Sequence, residues 1–491
     1  MLSATIFFPL AAGLLALFLP AGHPGLVRRF ALGASLVELI LAIVLLAGFD
    51  RNDSALQWRT TLDWIPSLGA RYDVAVDGIS LPLVVLTATL MVVVMVFVLP
   101  RHDRTRGHVF LFLLMETGLI GLFSSRDLLL FYVFFEVGLV PMYFIIGIWG
   151  HEHRRYAAIK FFLYTRAASL AMLLAFLALY LNTAPRTFSL DAMAQNPPLA
   201  GRAAGLALLG LVIGFGVKLP LVPLHNWLPD AHVEAPTEGS VMLAGVQLKM
   251  GAYGLVAVTL RVLPESVREY DWLLLIVALV TLVYGALAAL AQSDLKRLVA
   301  YTSINHMGYV LLAVAVWGLA TDANSRQLAL NGAVIQMVSH GLLTAGLFFL
   351  VGMLQDRTHT RDMDRLEGLL AQMPVYTWLL GLFAFGSLGL PGLSGFVAEF
   401  QVLGATVFNS VTAAAIALLG LIIITGLFIR MLISVALGEP REDLSPLPDL
   451  GARELISVVP LATLSLLIGL LPGLLVALIE TATGPLASVG S

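Results

Sequence analysis

The sequence predicts an all-α polytopic membrane protein of about 14 transmembrane helices, with two inverted five-helix repeats and two broken helices. Three observations carry that expectation. Of 491 residues, 59% are hydrophobic and only 12% charged, with a mean hydropathy of +0.92, too little polar surface to cover a soluble globule of this size. Apolar runs long enough to cross about 30 Å of hydrocarbon, roughly 20 residues each, recur along the whole chain. Two of these runs are interrupted by glycine and proline in a matching way.

The runs fall at 3–20, 30–49, 79–100, 108–125, 127–149, 157–182, 203–224, 240–263, 271–291, 296–319, 327–354, 375–405, 411–437 and 454–479. No stretch between them is long enough for a separate soluble domain, so residues 1–491 read as a single membrane domain. The first run has no basic residue ahead of it and is followed by Arg28 and Arg29, which is the pattern of a retained helix and not of a signal peptide. Asp50 to Gly78 mixes turn residues with short β-prone pieces, TLDWIPSLG and RYDVAVDG, and predicts a small hairpin. Gln355 to Met373 ends in an amphipathic turn or two suited to a membrane surface.

The seventh run contains Phe215-Gly216-Val217-Lys218-Leu219-Pro220, with Pro223 following, and the twelfth contains Phe385-Gly386-Ser387-Leu388-Gly389-Leu390-Pro391-Gly392. Proline removes a backbone donor and glycine loosens the helix, so both spans should break near mid-membrane. Taking 108–263 and 271–437 as two five-helix units puts each break on the fourth helix, and an odd number of spans makes consecutive units inverted. The run 454–479 is left as a C-terminal helix.

Lys and Arg set the orientation. Loops after odd-numbered spans hold sixteen of them, including Arg101, Arg154, Arg155 and Arg361, against nine after even-numbered spans, including Arg59, Arg126 and Arg261. The positive-inside rule then places both termini outside the cytoplasm. The net charge of −3 gives no reason to expect a nucleic-acid partner, and the absence of cysteine excludes disulfides and thiolate-ligated iron–sulfur clusters. Redox chemistry would belong to another chain.

Four ionisable residues stand inside uncharged apolar stretches: Glu136, Lys218, Lys249 and Glu399. Each costs several kcal/mol at bilayer depth, which points to a transporter of protons or small cations. A carboxylate that approaches a buried lysine favours its charged form, and one that withdraws lets the proton pass on. The same residues could instead form structural ion pairs, and Lys249 could snorkel. His225 and His232, in HNWLPDAH, sit seven residues apart across Pro229 without a thiolate, a poor metal-ligand spacing, so this segment reads as a structural loop closing one end of segment eight. Arg166, in FFLYTRAAS, would snorkel or pair with a carboxylate on a neighbouring chain.

YVFFEVGLVPMY, VKLPLVPLHNWLPDAHVEAPTEGSVMLAGVQLKMGAYG and PGLSGFVAEF resemble the antiporter-like subunits of respiratory complex I, the NADH:quinone oxidoreductase, and most closely the M-type, counterpart of mitochondrial subunit four. The resemblance runs from about Gly69 to Glu439. The acidic Glu399 discriminates, since the related L-type and N-type subunits usually carry lysine there. What it implies is proton translocation along a polar axis: Glu136 as first-half glutamate, Lys218 on the broken helix, Lys249 on the axis and Glu399 as the second-half terminus. His306 and His340 match axial histidines, and Glu116 matches a glutamate near Glu136. The resemblance also implies a multi-pass subunit of a bacterial cytoplasmic membrane. Its partners would be other antiporter-like subunits and peripheral redox subunits, and flavin, iron–sulfur clusters and quinone would be held there and not in this chain. Arg166 and Arg126 depart from the family pattern. A subunit of a multisubunit sodium/proton antiporter shares the fold and key residues, and a structural membrane scaffold is the third reading.

Overall fold

The computed structural model describes residues 1–98, 104–441, 444 and 446–489; Arg101, counted among the basic loop residues, lies outside them. The helices, in chain order, are α1 (Leu2–Phe18), α2 (Pro24–Ala47), α3 (Ser80–Val98), α4 (Thr105–Ser124), α5 (Leu128–Trp149), α6 (Arg154–Asn182), α7 (Leu190–Gln195), α8 (Gly201–Lys218) and α9 (Trp227–Glu234). Next come α10 (Thr237–Val262), α11 (Pro264–Glu269), α12 (Asp271–Leu290), α13 (Leu295–Leu319), α14 (Ala323–Thr358), α15 (Pro374–Ser387), α16 (Ser394–Asn409), α17 (Val411–Ala436), α18 (Ala452–Leu470) and α19 (Gly473–Ala487). Among the described residues, 12 of these are long and apolar enough to cross a membrane. With α1 and the split pair α15/α16, the chain is a helical polytopic protein of about fourteen spans.

Burial sorts the helices. Hydropathy alone cannot tell a lipid-facing helix from an interior one, but the windows of α10 and α14 are 100% buried, whereas those of α2, α17 and α18 are 33%, 33% and 28% buried. The polar axis described below runs through the fully enclosed helices.

A two-stranded antiparallel sheet, β1 (Gln57–Ile65) and β2 (Ala70–Val76), covers one end of the bundle. Its turn needs Gly69 at φ 62, a left-handed conformation that glycine adopts without a Cβ penalty. The sheet is riveted to the helix ends by charge. Arg126, 4% exposed, donates to Asp191 at 2.6 Å and stands 3.8 Å from Asp77. Arg261 at the end of α10 donates to Asp77 at 3.0 Å, and Arg59 of β1 bridges Asp73 and Asp191. Burial alone would raise the Asp77 carboxyl, but Arg261 and Arg126 outweigh it and hold it below its ordinary value. Arg126 is thus the hub of this end.

Two expected boundaries change. The seventh span ends at Lys218, and HNWLPDAH, read as a loop, lies mostly in the buried helix α9, the second half of the broken span. Its proline is the third residue of that helix, inside the first turn where a missing N–H is tolerated. The C-terminal run 454–479 is also two helices, α18 and α19, divided at Leu471 and Pro472. α19 packs on the enclosed helices through Trp317 Nε1 donating to Leu486 O at 3.2 Å and Thr483 donating to Asn331 at 2.5 Å.

Candidate functional site

The first break places Lys218 at the last position of α8. Leu219 N donates to Phe215 O and Leu221 N to Gly216 O, both at 2.8 Å, while Trp227 Nε1 reaches back to Val217 O at 2.9 Å. The Gly216 carbonyl freed by Pro220 and the neighbouring Val217 carbonyl are thereby satisfied inside protein, where water is scarce. The Lys218 ammonium is fully buried and has no hydrogen-bond partner; it faces the rings of Phe161 at 4.9 Å and Phe135 at 5.9 Å. Gly251 of α10 seats directly on this turn, since a Cβ there would meet Phe215 O at 2.3 Å and Lys218 Cβ at 3.0 Å.

Glu136 lies on α5, and no ion pair with Lys218 is closed. One carboxylate oxygen instead binds Arg166 Nη1 of α6 at 2.6 Å, and the other is buried with no hydrogen-bond partner among the described residues. Arg166 also donates to the Tyr132 hydroxyl at 3.4 Å. The expectation of a snorkelling Arg166, or of a partner on another chain, is corrected: its carboxylate is Glu136 of the same chain.

Lys249 sits between two π-helical stretches of α10, Leu243–Gln247 and Gly254–Thr259. Such widened turns recur at functional sites. Its Nζ donates to Ala244 O at 2.5 Å, five residues back, and lies within hydrogen-bond distance of His340 Nδ1 of α14 at 2.7 Å. The His340 and His306 rings are 5.8 Å apart between centroids, and His306 Nδ1 of α13 is 3.5 Å from Glu399 Oε1 of α16. Lys249, His340, His306 and Glu399 therefore form one line of titratable groups through the bundle, each no more than 4% exposed.

The second break frames Glu399. Gly389 at φ 79 and Gly392 at φ 96 turn the chain where a side chain would be strained. A Cβ on Gly389 would stand 2.5 Å from Glu399 Oε2, so this glycine makes room for the carboxylate. Next to the break, Ser394 Oγ lies 2.8 Å from both Ser339 Oγ and Ser465 Oγ, a buried hydroxyl chain the sequence did not signal.

Glu116 on α4 is fully buried, with neither carboxylate oxygen hydrogen-bonded. Glu38 on α2 is equally buried, and among the described residues its carboxylate oxygens also have no hydrogen-bond partner. Glu38 carries the signal that singled out Glu136, a lone carboxylate in an apolar run, but it precedes the region of resemblance. Among the described residues, no group of three His, Cys, Asp or Glu side chains is arranged to hold a metal.

Residues 125–425 match the family model for the transmembrane subunits of NADH:quinone oxidoreductase and Mrp antiporters. The chain is 38% identical to the NADH-quinone oxidoreductase subunit M of Rhodobacter capsulatus, over 98% of this chain and 94% of that one. It is 38% identical to NAD(P)H-quinone oxidoreductase chain 4 of Synechococcus elongatus, over 99% and 91%. Its fold matches a chain of respiratory complex I from Thermus thermophilus with a TM-score of 0.88 at 29% identity, covering 100% of this chain and 98% of that one. A chain of the Mrp complex from Dietzia sp. matches with a TM-score of 0.86 at 21% identity, covering 100% and 98%, a likeness of fold. With most of its length matched in both sequence and fold, the chain belongs to the antiporter-like membrane subunits of NADH:quinone oxidoreductase and Mrp complexes, in the M-type branch.

Proposed function

We propose that this chain is the proton-translocating M-type subunit of a complex I-type NADH:quinone oxidoreductase in a bacterial cytoplasmic membrane, with both termini on the non-cytoplasmic side. The single observation that carries the reading is the enclosed line Lys249, His340, His306 and Glu399, with its 2.7 Å and 3.5 Å contacts. Flavin, iron–sulfur clusters and quinone act in partner subunits. This chain adds no redox step, and its residues hold and pass protons.

The mechanism follows from charge. Glu136 approaching Lys218 stabilises the ammonium, and its withdrawal leaves a buried cation that discharges its proton along the axis. Lys249 passes the proton to His340, and His306 delivers it to Glu399 on the second repeat, which is inverted relative to the first and so opens to the opposite side. Moving one charge through about 150–200 mV takes roughly 4 kcal/mol at about 2.3 kcal/mol per 100 mV. A buried ion pair opening and closing supplies energy of that order.

The scaffold reading fits less well. Ionisable groups kept for packing are paired with one another, yet among the described residues the fully buried Lys218 ammonium has no ion pair and faces aromatic rings. The test uses the intact complex in proteoliposomes. Glu136→Gln, Lys218→Met and Glu399→Gln should each remove most proton translocation at parental levels of assembled complex. Glu399→Lys should keep part of it, because the positively charged group can still exchange a proton there. Parental pumping in all three would refute the reading. Sodium-dependent pumping without a redox partner would favour the antiporter instead.

A further inference from the structure

Two cations stand near one carboxylate. Glu136 gives Oε2 to Arg166 at 2.6 Å while its Oε1 is buried with no hydrogen-bond partner among the described residues. The fully buried Lys218 ammonium has only aromatic faces for company. Arg166 lies twelve residues into α6, about 18 Å along its axis, so it sits at bilayer depth. Its side chain is 42% exposed at the flank of the bundle, against 18% for Glu136. The carboxylate is therefore drawn toward the flank, away from the interior.

We propose that Arg166 is a positioning residue that competes with Lys218 for the Glu136 carboxylate and holds the first-half ion pair open until its own contact is broken. The proposal rests on the translocation reading above. The guanidinium is permanently charged and planar, whereas the lysine ammonium gains and loses its proton. The arginine is thus a partner of constant strength, and the lysine is one whose strength varies with its protonation. When Lys218 is protonated it can win Glu136 from Arg166. When it has discharged, Glu136 returns to Arg166, and Lys218 is free to be reloaded without its base attached. Tyr132, whose hydroxyl accepts from Arg166 at 3.4 Å, gives the guanidinium a second contact that survives the exchange. One turn before Glu136 on α5, it keeps Arg166 in range for the return.

Without Arg166, Lys218 keeps Glu136 without this competitor, and the pair stays closed. The experiment compares Arg166→Leu, Arg166→Gln and Arg166→Lys in the intact complex. It reads protons translocated per second per assembled complex in proteoliposomes, together with the infrared carboxylate band identified by its loss in Glu136→Gln. Arg166→Leu and Arg166→Gln should pump several-fold slower with a shifted band, and Arg166→Lys, a cation that can itself lose its proton, should restore only part of both. If Arg166 only ties α5 to α6, Arg166→Leu lowers the amount of complex but leaves the rate per complex and the band at parental values, and the proposal falls. Should Arg166→Leu fail to assemble, the same readings on Arg166→Gln decide. If Glu136→Gln itself pumps normally, the translocation reading is what fails. If Glu136→Gln is inactive while the Arg166 variants are parental, the role of Arg166 alone is overturned.

Discussion

Replacing Gly389 by alanine should displace a carboxylate without removing it. The new Cβ would stand 2.5 Å from Glu399 Oε2, where ordinary contact begins at 3.4 Å, so the carboxylate must retreat by roughly 1 Å, a misplacement that costs on the order of 100-fold where geometry sets the rate. The fold should tolerate the change. The intruding group meets the far end of a flexible side chain, leaving mainly the strain of φ 79, about 1–2 kcal/mol. Gly392→Ala is the matched control, with a similar strain at φ 96 but nothing nearer its Cβ than Leu470 at 3.8 Å. Both variants should assemble. Proton translocation per electron and turnover per assembled complex should then fall at least tenfold in Gly389→Ala and stay within about twofold in Gly392→Ala. Equal behaviour of the two would refute the idea that the position of Glu399, and not its presence alone, sets the rate.

Arg126→Leu should lower stability by about 3 kcal/mol, the lower end for losing one partner of a buried ion pair, because Arg261 still holds Asp77 and Arg59 still holds Asp191; thermal loss of assembled complex checks this, and an unchanged midpoint contradicts it. Because Asp77 is held below its ordinary value in the folded chain, its contribution is complete above about pH 4 and is lost as pH falls through the folded value. Hydrogen exchange of residues 57–76, corrected for intrinsic rates, should therefore rise on going from pH 6 to pH 3, and Asp77→Asn should exchange faster already at pH 6. Indifference of the hairpin to both changes would show that the ion cluster does not anchor it.

What the sequence revealed follows from which forces leave a local trace. Hydrocarbon thickness fixes run length, so about fourteen spans were readable, and proline and glycine announced both breaks. Where the chain resumes after a break is a matter of tertiary packing: α9 is short, follows Asn226 and carries Pro229 and Asp230, a loop-like composition that only burial against its neighbours makes helical. Lys249 and Glu399 were legible because charge in an apolar run is conspicuous, whereas His306 and His340 were reached only through the resemblance. Pairing was not legible, since the sequence gives no hint that α6 turns Arg166 toward Glu136. Ser339, Ser394 and Ser465 are small, common residues in apolar helices, and only the fold brings their hydroxyls together.

The hydrogen bond from Lys249 to Ala244 O has a consequence for how charge moves without moving the chain. In the charged form, two of the ammonium's three N–H bonds fall on Ala244 O and His340 Nδ1. After giving up one proton the amine retains two N–H bonds and gains a lone pair. It can keep its tether to Ala244 and accept from His340 along the same 2.7 Å path. The backbone mooring is thus indifferent to protonation state: a proton can cross from helix α10 to helix α14 as a reversal of polarity in a single contact, with neither helix paying out or taking up any length.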